Sequence, residues 1–170
     1  DLPRVGTLEA FNSDGLRTLI RTMDIPHMVE KTLRYPGYAQ KVQLLAATGF
    51  FSSEPMNVGG VSVRPMDLTA QLLFDAWRLR EDQDELTVMR VEVEGILGGA
   101  PTCLTWDLYD ETDRVGGATS MARCTGFPAA LMARAVADGR FSTPGVFAPE
   151  EVAADDGLVA WLLDELVARG

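Results

Sequence analysis

The chain has 170 residues, of which 46% are hydrophobic and 24% charged, a composition that suits a globular core in a single domain spanning 1–170. Its 25 acidic against 15 basic residues leave a net charge of −10, which argues against nucleic acid as partner, because a phosphate backbone demands clustered cations. Apolar runs such as residues 157–167 are broken by Asp164 and Glu165, short of the ~20 residues that cross a bilayer, and Asp1-Leu2-Pro3 opens no secretory leader. The expectation is a cytoplasmic protein with no membrane partner.

Residues 6–11 read as a short strand, and Asn12-Ser13-Asp14-Gly15 as a turn that caps a helix running to about Thr22. Residues 30–35 form the next strand candidate, stopped by Pro36-Gly37; Tyr38, Val42, Leu45 and Ala46 then recur at helical spacing up to Gly49. A long connection follows, in which Val58, Val61 and Val63 suit an edge strand. From Asp67, the expected N-cap, Leu68, Leu72, Leu73, Ala76 and Trp77 mark an amphipathic helix.

The clearest strand lies between Leu86 and Leu97, where Met89, Val91 and Val93 alternate with Arg90, Glu92 and Glu94. After Gly98-Gly99-Ala100-Pro101 the same period returns in Leu104, Trp106 and Leu108, so the two segments should pair as an antiparallel hairpin. Residues 118–123 are expected as a third antiparallel strand, before Thr125-Gly126-Phe127-Pro128 opens a helix that runs to Gly139. Pro149-Glu150-Glu151 is a helix entrance, and residues 158–168 form a last helix that buries Leu158, Trp161, Leu162 and Leu166. These elements make an α+β fold, a mixed and largely antiparallel sheet with helices on one face. Its outward positions Arg90, Glu92, Glu94, Thr105 and Asp107 are left for solvent or for a subunit contact.

No Gly-x-Gly-x-x-Gly occurs, so no cofactor-binding residue is assigned, and the pairs Gly59-Gly60, Gly98-Gly99 and Gly116-Gly117 lie in loops. His27 is the lone histidine and has no nucleophile near it in sequence, which leaves no catalytic residue and no metal set to name. Cys103 and Cys124 are expected as buried thiols. Groups suited to a small charged substrate gather in Asn12, Ser13 and Asp14 and in Lys31, Arg34 and Tyr35, at strand ends. A planar guanidinium such as that of Arg34 suits a carboxylate; the plainer reading is that Asn12-Ser13-Asp14 caps a helix and Arg34 pairs with a surface acid.

A set of phrases occurs in order: Leu8-Glu9-Ala10-Phe11-Asn12-Ser13-Asp14-Gly15-Leu16, Glu30-Lys31-Thr32-Leu33-Arg34-Tyr35-Pro36-Gly37, Met121-Ala122-Arg123-Cys124-Thr125-Gly126-Phe127-Pro128-Ala129-Ala130, and Gly145-Val146 with Pro149-Glu150. Together they resemble the C-terminal region of the saccharopine dehydrogenase family, especially its lysine-dehydrogenase-like members. The resemblance implies a substrate-side and dimerisation domain, similar to the C-terminal domain of glyceraldehyde-3-phosphate dehydrogenase-like folds. Its partner would be an N-terminal Rossmann domain that carries NAD or NADP and lies outside these residues, as in a protein cut from a longer gene. The implied activity is hydride transfer at the amino or imino carbon of a lysine-related amino acid, in a homodimer. By the same resemblance Asn12 and Ser13 contact substrate, Arg34 holds a carboxylate with Tyr35 beside it, and Thr125 and Gly126 line the interdomain cleft. The alternative is a stand-alone binding or regulatory dimerisation module without catalytic activity.

Overall fold

Strand β1 (Glu9–Asn12) pairs antiparallel with β2 (Lys31–Arg34), setting Glu9 opposite Arg34, Phe11 opposite Thr32 and Asn12 opposite Lys31. The computed structural model in which this pairing is seen describes Leu2 and residues 4–169 of the chain, as two compact units, Asp1–Arg78 and Leu79–Gly170.

In the first unit the β1 to β2 connection makes turns over residues 14–18 and one short helix, α1 (Leu19–Thr22), in place of the expected longer one. Pro36-Gly37 ends β2, and Gly37 takes a left-handed φ of 89° as the N-cap of α2 (Tyr38–Ala47). That helix start carries no cap from its own N-cap side chain; Glu9 reaches across from β1 and accepts from Gly37 N at 2.9 Å and Ala39 N at 2.5 Å. A carboxylate there satisfies amides that a helix leaves open and meets the positive end of its dipole. A small hairpin, β3 (Met56–Val58) and β4 (Val61–Val63), turns at Gly59-Gly60. Helix α3 (Pro65–Trp77) begins earlier than its sequence suggests: Pro65 suits the first turn, so Arg64 is the N-cap and Asp67 pairs with Arg64 at 2.7 Å. Phe11, Tyr38 and Trp77 form a column of rings, with centroids 6.2 and 6.3 Å apart, that joins β1, α2 and α3. Thr69 is buried and donates to the carbonyl of Phe50 at 2.9 Å, which pins α3 to the end of the preceding turn.

The second unit is built on β5 (Leu86–Leu97) and β6 (Ala100–Glu111), an antiparallel ribbon whose two-residue turn, Gly98-Gly99, has φ of 60° and 85°. Positive φ at both central positions is what a tight hairpin turn matching strand twist requires. Residues 118–123 do not add a third strand. Ala118 makes one isolated bridge to Asp113, and the chain then turns helical, through a π-helical turn at Ala122–Gly126 into α4 (Phe127–Ala137). The reason lies in the side chains: Ser120 is fully buried, donates to the carbonyl of Asp110 at 3.1 Å and lies in hydrogen-bond contact with the Thr87 hydroxyl at 2.8 Å, partners that an exposed strand would leave unmet.

Arg123, nearly buried, donates from Nε to Asp110 Oδ1 at 2.9 Å and lies 3.7 Å from Asp113, so the π turn is clamped to the ribbon base. After α5 (Pro149–Val152), helix α6 (Asp156–Val167) starts where Asp155 accepts from Leu158 N at 3.0 Å. Among the described residues the buried apolar side chains are Leu131, Ala135 and Leu158, on α4 and α6, which contact each other. Around it Arg134 and Arg140 lie over the ring of Trp161 at 5.7 and 4.8 Å, and Arg134 pairs with Glu165 at 3.1 Å. The expected α+β class holds, with three two-stranded antiparallel sheets among the described residues. Neither cysteine is buried: Cys103 is exposed on the polar side of the ribbon opposite Glu94, and Cys124 is half-buried in the π turn.

Candidate functional site

Residues opposite each other in an antiparallel pair share a face, and so do residues two apart along a strand. Glu9, Phe11 and Ser13 therefore lie with Arg34, Thr32 and Glu30 on one face of the first hairpin, while Asn12 and Lys31 belong to the other. At the end of that face where the connection joins the two strands, Ser13 Oγ donates to Glu30 Oε2 and lies 2.8 Å from Thr32 Oγ1; the amide of Gly15 also reaches Glu30 Oε2, at 3.2 Å. Three polar side chains, Ser13 just after β1, Glu30 just before β2 and Thr32 on β2, thus converge there. At the opposite end Arg34 lies over the Tyr38 ring, 5.5 Å to its centroid, and donates to the carbonyl of Leu33 at 2.7 Å.

Of the residues proposed from sequence, Ser13 and Arg34 share this face. Asn12 is exposed on the opposite one, and Tyr35 is 62% exposed at the turn. Thr125 and Gly126 sit in the second unit, in the π turn, where Thr125 donates to Met121 Sδ at 3.5 Å. Gly126 has ordinary helical geometry, and a Cβ added to it would meet nothing within 4 Å. The reading of Arg34 as the partner of a surface acid is not what is seen, since its contacts are a carbonyl and a ring and no acid among the described residues pairs with it. Sequence reasoning passed over Glu30, Thr32 and Tyr38. The signal for two of them was present, because Glu30, Thr32 and Arg34 follow the period of two that sets one strand face.

Glu9 has a pKa lowered from 4.5, chiefly by the hydrogen bonds from Ala39 and Gly37, and it serves the helix start rather than a ligand. In the second unit an open groove of about 370 Å³ is lined by Arg80, Glu81, Asp113, Arg114 and Thr119. Its arginines are already engaged, Arg114 with Asp84 at 2.7 Å and with the carbonyl of Glu81 at 2.8 Å, and Arg80 with Asp82 at 3.5 Å. Among the described residues no group of histidines, cysteines and acids could hold a metal, and no helix is long and apolar enough to cross a membrane. The pairs Gly59-Gly60 and Gly98-Gly99 turn hairpins, and Gly116 and Gly117 close a turn whose amides bond to Asp113. None of these three pairs opens a helix after a strand, as the glycine turn of a Rossmann unit does.

The family described as Saccharopine dehydrogenase C-terminal domain matches residues 1–170 of the chain. A relative from Schizosaccharomyces pombe, saccharopine dehydrogenase [NADP(+), L-glutamate-forming], is 31% identical over 124 residues, which cover 72% of this chain and 26% of the relative. The aligned stretch therefore spans about a quarter of that relative's length.

Proposed function

The chain belongs to the saccharopine dehydrogenase C-terminal domain family, and we propose that it is the substrate-side wall and subunit contact of an NAD(P)-dependent oxidoreductase. The substrate would be a lysine-related amino acid, reacting at its amino or imino carbon. The observation that carries this reading is Arg34, a guanidinium on the Ser13 face of the first hairpin with no acid paired to it among the described residues. Such a group is matched in shape and charge to a carboxylate, and stacking on Tyr38 holds its plane.

When bound, the nicotinamide would supply the hydride chemistry, and on this reading it is carried by a Rossmann domain outside these residues. The part left to this chain is orientation: Arg34 and Ser13 fix both ends of the substrate so that the reacting carbon is held at one place. The subunit contact is supported by the second hairpin, where Met89, Val91, Val93, Leu104 and Trp106 share one face and are each more than 40% exposed. A two-stranded ribbon is marginal in water alone, and an apolar face of this length is what a second copy would cover.

Steady-state kinetics of the intact enzyme with L-lysine and saccharopine, each with NAD and NADP, test the reading. Turnover is expected with at least one pair, and Arg34→Lys should raise KM by about tenfold through loss of the two-pronged hydrogen bond. Absence of turnover with every pair, or an unchanged KM in the variant, would overturn it.

A further inference from the structure

The ribbon of β5 and β6 has two outer edges, and neither is paired among the described residues. In an antiparallel pair, residues that exchange backbone hydrogen bonds alternate with residues whose N–H and C=O point away. Just below the ribbon Thr112 N donates to the carbonyl of Glu85 at 3.0 Å, and the register puts that pair in phase with Leu97 and Ala100 at the turn. Odd-numbered residues of β5 therefore bond to β6, and Val88, Arg90, Glu92, Glu94 and Ile96 turn their backbone outward. Residues 89–97 are exposed, and among the described residues no backbone hydrogen bond from another segment reaches that edge. The outer positions of β6 include Pro101, Cys103, Thr105 and Asp107; Pro101 has no N–H to give, a device that blunts an edge. No proline stands on β5, so its edge is a template for a further strand.

We propose that the outer edge of β5 pairs with β5 of a second copy, joining the two ribbons into one four-stranded antiparallel sheet. The charges on the edge choose both the partner and the register. Two copies related by a two-fold axis oppose their residues symmetrically about one centre. Centring on Arg90 sets two arginines opposite each other, centring on Glu92 sets two glutamates, and centring on Val93 sets Glu92 against Glu94. Centred on Val91, Arg90 of each copy faces Glu92 of the other, Met89 faces Val93, and no like charges are opposed. Arg90 is equipped for that contact: Asp107 takes its Nε and one terminal nitrogen, at 2.6 and 2.9 Å, and the other terminal nitrogen has no hydrogen bond among the described residues.

A two-fold axis normal to the sheet keeps each face on its own side. Met89, Val91, Val93, Leu104 and Trp106 of both copies then form one apolar face of double width, which the edge contact leaves open. Edge and face are thus separate interfaces, and an assembly that uses both holds four copies. The choice of a second copy rests on the reading of this ribbon as a subunit contact, while the choice of edge stands on register and charge.

Sedimentation of the intact protein tests the pairing, with variants that act on one edge at a time. Glu92→Pro removes an outward N–H and no bond within the ribbon, and should weaken self-association by about tenfold or more. Thr105→Pro does the same to the outer edge of β6 and should leave association within about twofold of wild type. Glu92→Arg and Arg90→Glu each set like charges across the axis and should weaken association alone. A one-to-one mixture of these two sets arginine against glutamate at both places and should restore it, which also shows that both variants fold. Equal effects of the two prolines, unchanged association in Glu92→Pro, or a mixture no stronger than its parts would overturn the proposal. Loss of association in Trp106→Asp with none in the β5 variants leaves the apolar face as the contact and sinks this inference alone. Loss in Glu92→Pro with none in Trp106→Asp supports the edge and sinks the face alone.

Discussion

The two main hairpins differ in nearly every respect that matters. The β1 and β2 pair is four residues long on each side, and one face carries Glu30, Thr32, Ser13 and Arg34 in a row. The β5 and β6 pair is twelve long on each side and sorts its side chains by face: Met89, Val91, Val93, Leu104 and Trp106 on one, Arg90, Glu92, Glu94, Thr105 and Asp107 on the other. On the reading proposed above, the polar groups crowded on the short hairpin serve a small molecule, and the long regular ribbon serves a second copy of the chain.

The contrast breaks most visibly at the base of the long ribbon. Arg123 and Asp110 have side chains only 11% and 12% exposed, and Asp110 Oδ2 already lacks a partner among the described residues. Arg123→Ala would strand that carboxylate, and a loss of about 3–5 kcal/mol of stability is expected on chemical denaturation. A change below ~1 kcal/mol would mean that the clamp between the ribbon and the π turn is ornamental. The next largest effect is at the exposed face. Trp106→Asp should weaken self-association by about 2 kcal/mol, roughly thirtyfold in dissociation constant by sedimentation, with the ligand affinity of the short hairpin unchanged. Variants of the short hairpin should do the reverse.

The smallest effect sharpens the role of Glu9, on the short hairpin yet without a ligand role. Its folded pKa is lowered, first by Ala39 and then by Gly37, so its contribution is present above the ordinary 4.5 and is lost as pH falls through the lower folded value. Glu9→Gln should therefore flatten the acid side of the stability profile between neutral pH and that region. Melting temperatures of both forms across that range check it; parallel curves would show that the carboxylate charge contributes nothing to the α2 start.

Legibility followed the range of the interactions involved. The alternation from Met89 to Leu108 determined the long ribbon because strand period and a glycine turn are local, whereas α6, expected from Leu158, starts two residues earlier behind the cap at Asp155. The segment at residues 118–123 misled, since its local pattern allowed a strand while Ser120 and Arg123 found partners on β6 and its neighbours. Cys103 misled for a related reason, because its burial depended on which face of the ribbon was covered.

By itself the sequence determined the α+β class, the family and two of the residues, Ser13 and Arg34, that share the candidate face. Only the tertiary structure decided that Ser13 gives its proton to Glu30, that Arg34 has a ring and a carbonyl in place of an acid, and that Glu9 caps α2. Those outcomes depend on strand register and on contacts between residues far apart in the chain, and a shift of register by one residue would turn each side chain to the opposite face.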